Sequence, residues 1–77
     1  NNPFQNEIQI QFSLAQSGKG RINLYSAQGQ LIKREFANMN SGQFTYTMSN
    51  LSPLPEGFYI VEAIVNDQRW KEKLLKK

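Results

Sequence analysis

The sequence contains neither cysteine nor histidine. These two absences remove disulfide staples, thiol nucleophiles, imidazole bases and the usual zinc ligands together. Carboxylates are few: Glu7, Glu35, Glu56, Glu62, Asp67 and Glu72 are scattered singly, with no close pair to share acid and base roles. No run approaches the roughly 18 apolar residues of a membrane-spanning helix. The opening Asn1-Asn2-Pro3-Phe4 has neither the basic nor the apolar region of a leader. It also lacks an initiator methionine, so the chain is expected to come from a longer polypeptide. Freedom from cysteine suits either the cytosol or an exported protein that folds without disulfides. With 77 residues, 39% of them hydrophobic, there is material for one domain spanning residues 1–77, with a modest core and little room for an enclosed active-site cavity. What remains is the chemistry of binding: no catalytic residue, cofactor or metal is expected.

The formal charge of +3 is unevenly placed. Through residue 65, Lys19, Arg21, Lys33 and Arg34 balance Glu7, Glu35, Glu56 and Glu62. The whole excess comes from Arg69, Lys71, Lys73, Lys76 and Lys77 set against Asp67 and Glu72. A local charge of this kind biases encounter without dictating the fold, which marks the last segment as a candidate docking element.

Period-two alternation is the dominant pattern. Ile8, Ile10, Phe12 and Leu14 interleave with Gln9, Gln11 and Ser13, as in a half-buried strand. Ser17-Gly18-Lys19-Gly20 then reads as a hairpin turn into a second strand carrying Ile22 and Leu24, with Arg21 and Asn23 on its other face. Ser26-Ala27-Gln28-Gly29 reads as a tight turn with glycine at a positive-φ position, followed by a mixed third strand with Leu31, Ile32 and Phe36. These three are expected to form a meander. Phe44, Tyr46 and Met48 give a fourth strand. Asn50 to Gly57, with two prolines that cannot donate to a ladder, reads as a loop that changes sheets and plugs the core with its leucines. Phe58 to Val65 is the most apolar run, and Gln68 to Lys76 closes the chain after the turn Asn66-Asp67. The expected fold is all-β: a small antiparallel Ig-like β-sandwich of about six to seven strands. Residues 1–6 serve as linker or strand start, and 7–77 form the sandwich.

A two-residue turn at Asn66-Asp67 sets one register for the last hairpin, and a turn one residue longer would exchange the faces of the final strand; the shorter turn gives the pairs that follow. Val65 then faces Gln68, Ala63 faces Trp70, Val61 faces Glu72 and Tyr59 faces Leu74. On the other side Ile64 meets Arg69, Glu62 pairs with Lys71, Ile60 meets Lys73 and Phe58 meets Leu75. Phe58, Ile60 and Ile64 are expected as core of a strand covered on both faces, or else as an exposed docking patch. Trp70, Tyr25 and Tyr46 are expected as packing residues.

Four segments in order carry a resemblance: Asn2-Pro3-Phe4, Leu24-Tyr25-Ser26-Ala27-Gln28-Gly29-Gln30-Leu31-Ile32, Leu54-Pro55-Glu56-Gly57-Phe58-Tyr59 and Lys73-Leu74-Leu75. Together they resemble the type A C-terminal sorting domain of cargo exported by the type IX (Por) secretion system, over nearly the whole chain. Asn2, Pro3, Phe4, Leu24, Tyr25, Gly29, Gly57 and Tyr59 are the motif positions. Departures are Ser26, where the family often has aspartate, and Gln30, where it often has a charge; the tail is also more basic than in many members.

The resemblance implies a non-catalytic signal that directs its cargo across the outer membrane and is read by the outer-membrane translocon and its shuttle protein. It further implies periplasmic transit, then the cell surface or the medium, with a cell-surface sortase-like protease removing the domain. Partner recognition is expected at Arg69, Lys71, Lys73, Leu74, Leu75, Lys76 and Lys77, on a terminal strand able to add to a partner's sheet. Such a strand also permits exchange into a swapped homodimer. Two other readings stay open: an adhesion or carbohydrate-binding sandwich, and a single-stranded nucleic-acid-binding barrel. The second lacks net positive charge over residues 1–65 and has no known aromatic RNA-binding motif.

Overall fold

The alternating pattern builds seven strands in the computed structural model, which describes residues 3–77. They are β1 (Pro3–Phe4), β2 (Ile8–Leu14), β3 (Gly18–Ser26), β4 (Leu31–Met39), β5 (Gly42–Met48), β6 (Gly57–Val65) and β7 (Gln68–Lys76). No helix occurs among the described residues, so none is present to cross a membrane. One sheet has the order β1-β7-β6-β3-β4, and β2 with β5 forms a second, two-stranded sheet. The core lies between them. Ile8, Ile10, Leu14 and Met48 from the small sheet meet Ile22, Leu24, Val61, Ala63, Val65 and Leu74 from the large one. Each of the isoleucine, leucine, valine and methionine side chains, fully buried, stabilises the fold by about 1.5–3 kcal/mol. Leu51 is buried in this core and Leu54 packs against it, so the proline-bearing loop does contribute its leucines to the core, and the chain changes sheets there, from β5 to β6.

The sandwich is confirmed, and the β6–β7 register follows the two-residue turn throughout, from Val65 opposite Gln68 to Phe58 opposite Leu75. Asn66 takes a positive φ of 54° in that turn. The meander is not found. β2 and β3 belong to different sheets, and only β3 and β4 form a hairpin in that part of the chain. The physical reason lies in Gly18 and Gly20, which are extended strand residues and not positive-φ turn positions. Their lack of a side chain serves close packing. A Cβ on Gly18 would stand 2.6 Å from Asn66 Oδ1, and one on Gly20 would stand 2.8 Å from Met39 Cε. The Asn66 amide meanwhile donates to the carbonyls of Gln16 (3.2 Å) and Ser17 (3.4 Å), tying the β6–β7 turn to the β2–β3 crossing.

Two further expectations are corrected. The fold is not wholly antiparallel, because β1 pairs parallel to β7, Pro3 opposite Leu75 and Phe4 opposite Lys76. The last strand therefore lies between β1 and β6 at its closing end instead of forming the sheet edge there. In β4 the expected polarity is reversed: Leu31, Ile32 and Phe36 are exposed, while Lys33, Glu35, Ala37 and Met39 point inward. Inward charge is tolerated because it is paired. Lys33 Nζ lies 3.3 Å from Glu35 Oε2 and donates to the Ser49 carbonyl, and the Tyr46 hydroxyl donates to Glu35 Oε1.

Candidate docking face

The five-stranded sheet has one face on the core and one with no further layer over it among the described residues. Cross-strand register organises the open face into rows. Arg69, Ile64, Arg21 and Phe36 form one row; Lys71, Glu62, Asn23 and Arg34 the next; Lys73, Ile60, Tyr25 and Leu31 a third; and Leu75 beside Phe58 begins a fourth. Lys19, two residues before Arg21, lies on the same face. Phe58, Ile60 and Ile64 are thus uncovered, not core: Phe58 is 51% exposed and Phe36 64%. Lys73 Nζ sits 4.6 Å from the centre of the Phe58 ring, a cation–π contact that holds the ring against the sheet.

At the middle of this face two polar residues are buried, Asn23 and Glu62. Asn23 Nδ2 donates to Glu62 Oε1 at 3.2 Å, and the Tyr25 hydroxyl donates to the same oxygen at 3.2 Å. Arg69 Nε lies 3.4 Å from Glu62 Oε2, so the carboxylate's ion pair is with Arg69, on the diagonal, and not with the directly opposite Lys71. Asn23 Oδ1 in turn accepts from Arg34 Nε at 2.8 Å. Burial pushes the Glu62 carboxyl up, but the two donated hydrogen bonds and the charges of Arg69 and Lys71 outweigh it and hold it below its ordinary value. Tyr25, expected as packing, is part of this network. A cleft of about 230 Å³ opens beside it, lined by Tyr25, Gly29, Ile60, Glu62 and Lys71.

The opposite face of the sandwich differs in kind. There the exposed residues of β2 and β5 are Gln9, Gln11, Ser13, Gly42, Gln43, Thr45 and Thr47, all neutral.

The residues expected to meet a partner divide between faces. Arg69, Lys71, Lys73 and Leu75 share the open face, whereas Leu74 and Lys76 point the other way and are buried. Lys77 follows the strand, its backbone N–H donating to the Phe4 carbonyl at 2.9 Å. Of the motif positions, Asn2 lies outside the described residues. Pro3 and Phe4 form β1, and Leu24 is fully buried. The Phe4 ring meets Tyr59 edge-on at 6.0 Å, and the Tyr59 hydroxyl donates to the Pro55 carbonyl at 2.6 Å. Gly29 (φ 89°) and Gly57 (φ 143°) occupy backbone conformations that favour glycine. Ser26 Oγ accepts from the N–H groups of Gln28 (3.3 Å) and Gln30 (3.2 Å), so the serine does support the turn.

Counting charge by segment missed Lys19, Arg21 and Arg34, because of the four carboxylates up to residue 65 Glu7 and Glu56 lie in loops and Glu35 points inward, and Glu62 alone shares their face. For Lys19 and Arg21 the signal was present, since they alternate with buried Gly20 and Ile22 along β3, whereas Arg34 stands between charged Lys33 and Glu35 in β4 and carries no such mark. Among the described residues no group of His, Cys, Asp or Glu is gathered for a metal.

A family model described as a secretion system C-terminal sorting domain matches residues 2–77. No curated protein matches the chain.

Proposed function

The chain belongs to the secretion system C-terminal sorting domains, and from that premise we propose that it acts as a non-catalytic address, carried by a secreted or cell-surface cargo and bound by the type IX translocon and its shuttle protein. The supporting observation is the composition of β7: Arg69, Lys71, Lys73 and Leu75 stand together on a sheet face over which no strand of the described residues lies. Leu74 holds the same strand to the core, and Lys76 is buried on the same side. Recognition therefore goes through the four outward residues, with Lys77 at the end of the strand, while Leu74 and Lys76 preserve the platform that presents them.

The cargo passes through the periplasm and reaches the surface, where a sortase-like protease separates it from the domain. The test is a fluorescent protein joined to this domain and supplied with an ordinary export signal. It is expected outside a type IX-competent cell and in the periplasm of a translocon mutant. Retention of the fusion in the periplasm of both strains would remove the reading.

A further inference from the structure

We infer that the partner docks an acidic protein surface, bearing apolar side chains, on the whole open face of the large sheet, with Lys19, Arg21, Arg34 and Phe36 of β3 and β4 taking part alongside β7; this rests on the sorting reading. The argument is charge complementarity. Lys19, Arg21, Arg34, Arg69, Lys71 and Lys73 occupy one face with a single carboxylate among them, Glu62. That carboxylate is already engaged by Asn23, Tyr25 and Arg69. The face is therefore cationic as a unit, and the opposing neutral face of β2 and β5 makes the asymmetry a property of the whole domain.

Geometry selects a protein over a lipid surface. Three of the cations are arginines. Arg34 is oriented through its Nε by Asn23, and Arg69 through its Nε by Glu62. Guanidinium forks held in fixed rows suit carboxylates held at fixed spacing, whereas laterally mobile headgroups require no such register. The exposed apolar groups lie on a sheet and do not project from a loop, and Phe58 is held under Lys73. The cleft between Tyr25, Ile60 and Lys71 gives a partner's apolar side chain a place to anchor beside the charges.

Lys19 and Arg21 provide the test, since neither makes a described side-chain hydrogen bond within the domain and both lie far along the chain from the tail. The double variant Lys19→Glu/Arg21→Glu in the fluorescent fusion is expected to lower export about tenfold or more at an unchanged melting temperature, because like charges then meet at the interface. The charge-conserving Lys19→Arg/Arg21→Lys is expected to export as wild type. Should the double variant fail to fold, Lys19→Gln/Arg21→Gln carries the same expectation in weaker form. Wild-type export by a folded double variant would overturn the inference and leave the sorting reading standing; failure of the unmodified fusion to leave the cell would overturn both. Sedimentation of the wild-type domain with phosphatidylglycerol vesicles, or its retention on single-stranded DNA, lost in step with export in the variants, would assign the face to that ligand and overturn the acidic-protein inference.

Discussion

Asn23 and Glu62 lie opposite each other across the β3–β6 ladder and join by a 3.2 Å hydrogen bond, both of them buried on the side of the sheet that has no covering layer. Arg34 and Arg69 each reach the pair through Nε alone, which leaves the rest of each guanidinium outside these two contacts. The pair turns an open face into an ordered one: Arg34 is held through Asn23, Arg69 through Glu62. Asn23→Ala leaves a buried carboxylate short of a donor and frees Arg34. A loss of about 1–3 kcal/mol is expected in urea unfolding.

The same carboxylate makes stability depend on acid. Its pKa in the folded domain is held below the ordinary 4.5 despite burial, by Asn23, Tyr25, Arg69 and Lys71. A depressed carboxylate stabilises the fold above the unfolded value, and that contribution is lost as pH falls through the folded value. As pH falls below the ordinary 4.5, the melting temperature of the wild type is expected to fall more steeply than that of Glu62→Gln. Parallel curves for the two proteins would show that Glu62 carries none of this dependence.

Tyr46 works in the opposite direction. Burial, then the hydrogen bond and the charge of Glu35, push its phenol up to about 12. A raised phenol stabilises the fold below its unfolded pKa, near 10, and the contribution disappears as pH climbs toward the folded value. In an ultraviolet titration Tyr46→Phe is expected to lose the ionisation step near pH 12 and no earlier one. The substitution is also expected to cost about 1 kcal/mol at neutral pH.

Ala63 and Trp70 form a small–large pair across β6 and β7, and the indole stacks on Phe12 at 6.2 Å with the rings 19° apart. Ala63→Leu is expected to displace the indole and destabilise by about 1–3 kcal/mol. Trp70 is the single tryptophan, so its fluorescence reports both the displacement and the unfolding.

Leu74 and Leu75 are neighbours with divergent roles. Leu74→Ala is expected to cost about 2–5 kcal/mol, because that side chain is buried in the core. Leu75→Ser is expected to leave urea unfolding within about 1 kcal/mol of wild type while lowering export of the fusion. Equal loss of export in both at equal stability would contradict the division. Removal of residues 69–77 is a poor probe by comparison, since it strips β7 from between two strands.

Much of this was legible in the chain itself, and the exceptions have physical causes. The β6–β7 register could be read because a two-residue turn leaves only one way to align the strands. Gly29 could be read because the turn needs a positive φ. Gly18 and Gly20 misled because a glycine needed for close approach looks the same in sequence as one needed for a turn. In β4 the hydrophobic pattern points outward because Lys33 and Glu35 neutralise each other inside, and pairing of that kind is invisible to hydropathy. The docking face was half visible. The cations of the tail stood out as a run, but those of β3 and β4 joined them only once the register brought the strands side by side.

The parallel pairing of β1 with β7 has a consequence for biosynthesis. Gln68–Lys76 is the seventh strand in chain order, yet it must slot between two that precede it, and the Lys77 amide bonds to Phe4. Assembly of the large sheet thus waits until β7 has been made. A polypeptide broken off before β7 would leave β1 without its neighbour, so only molecules in which this domain is whole would present the finished face.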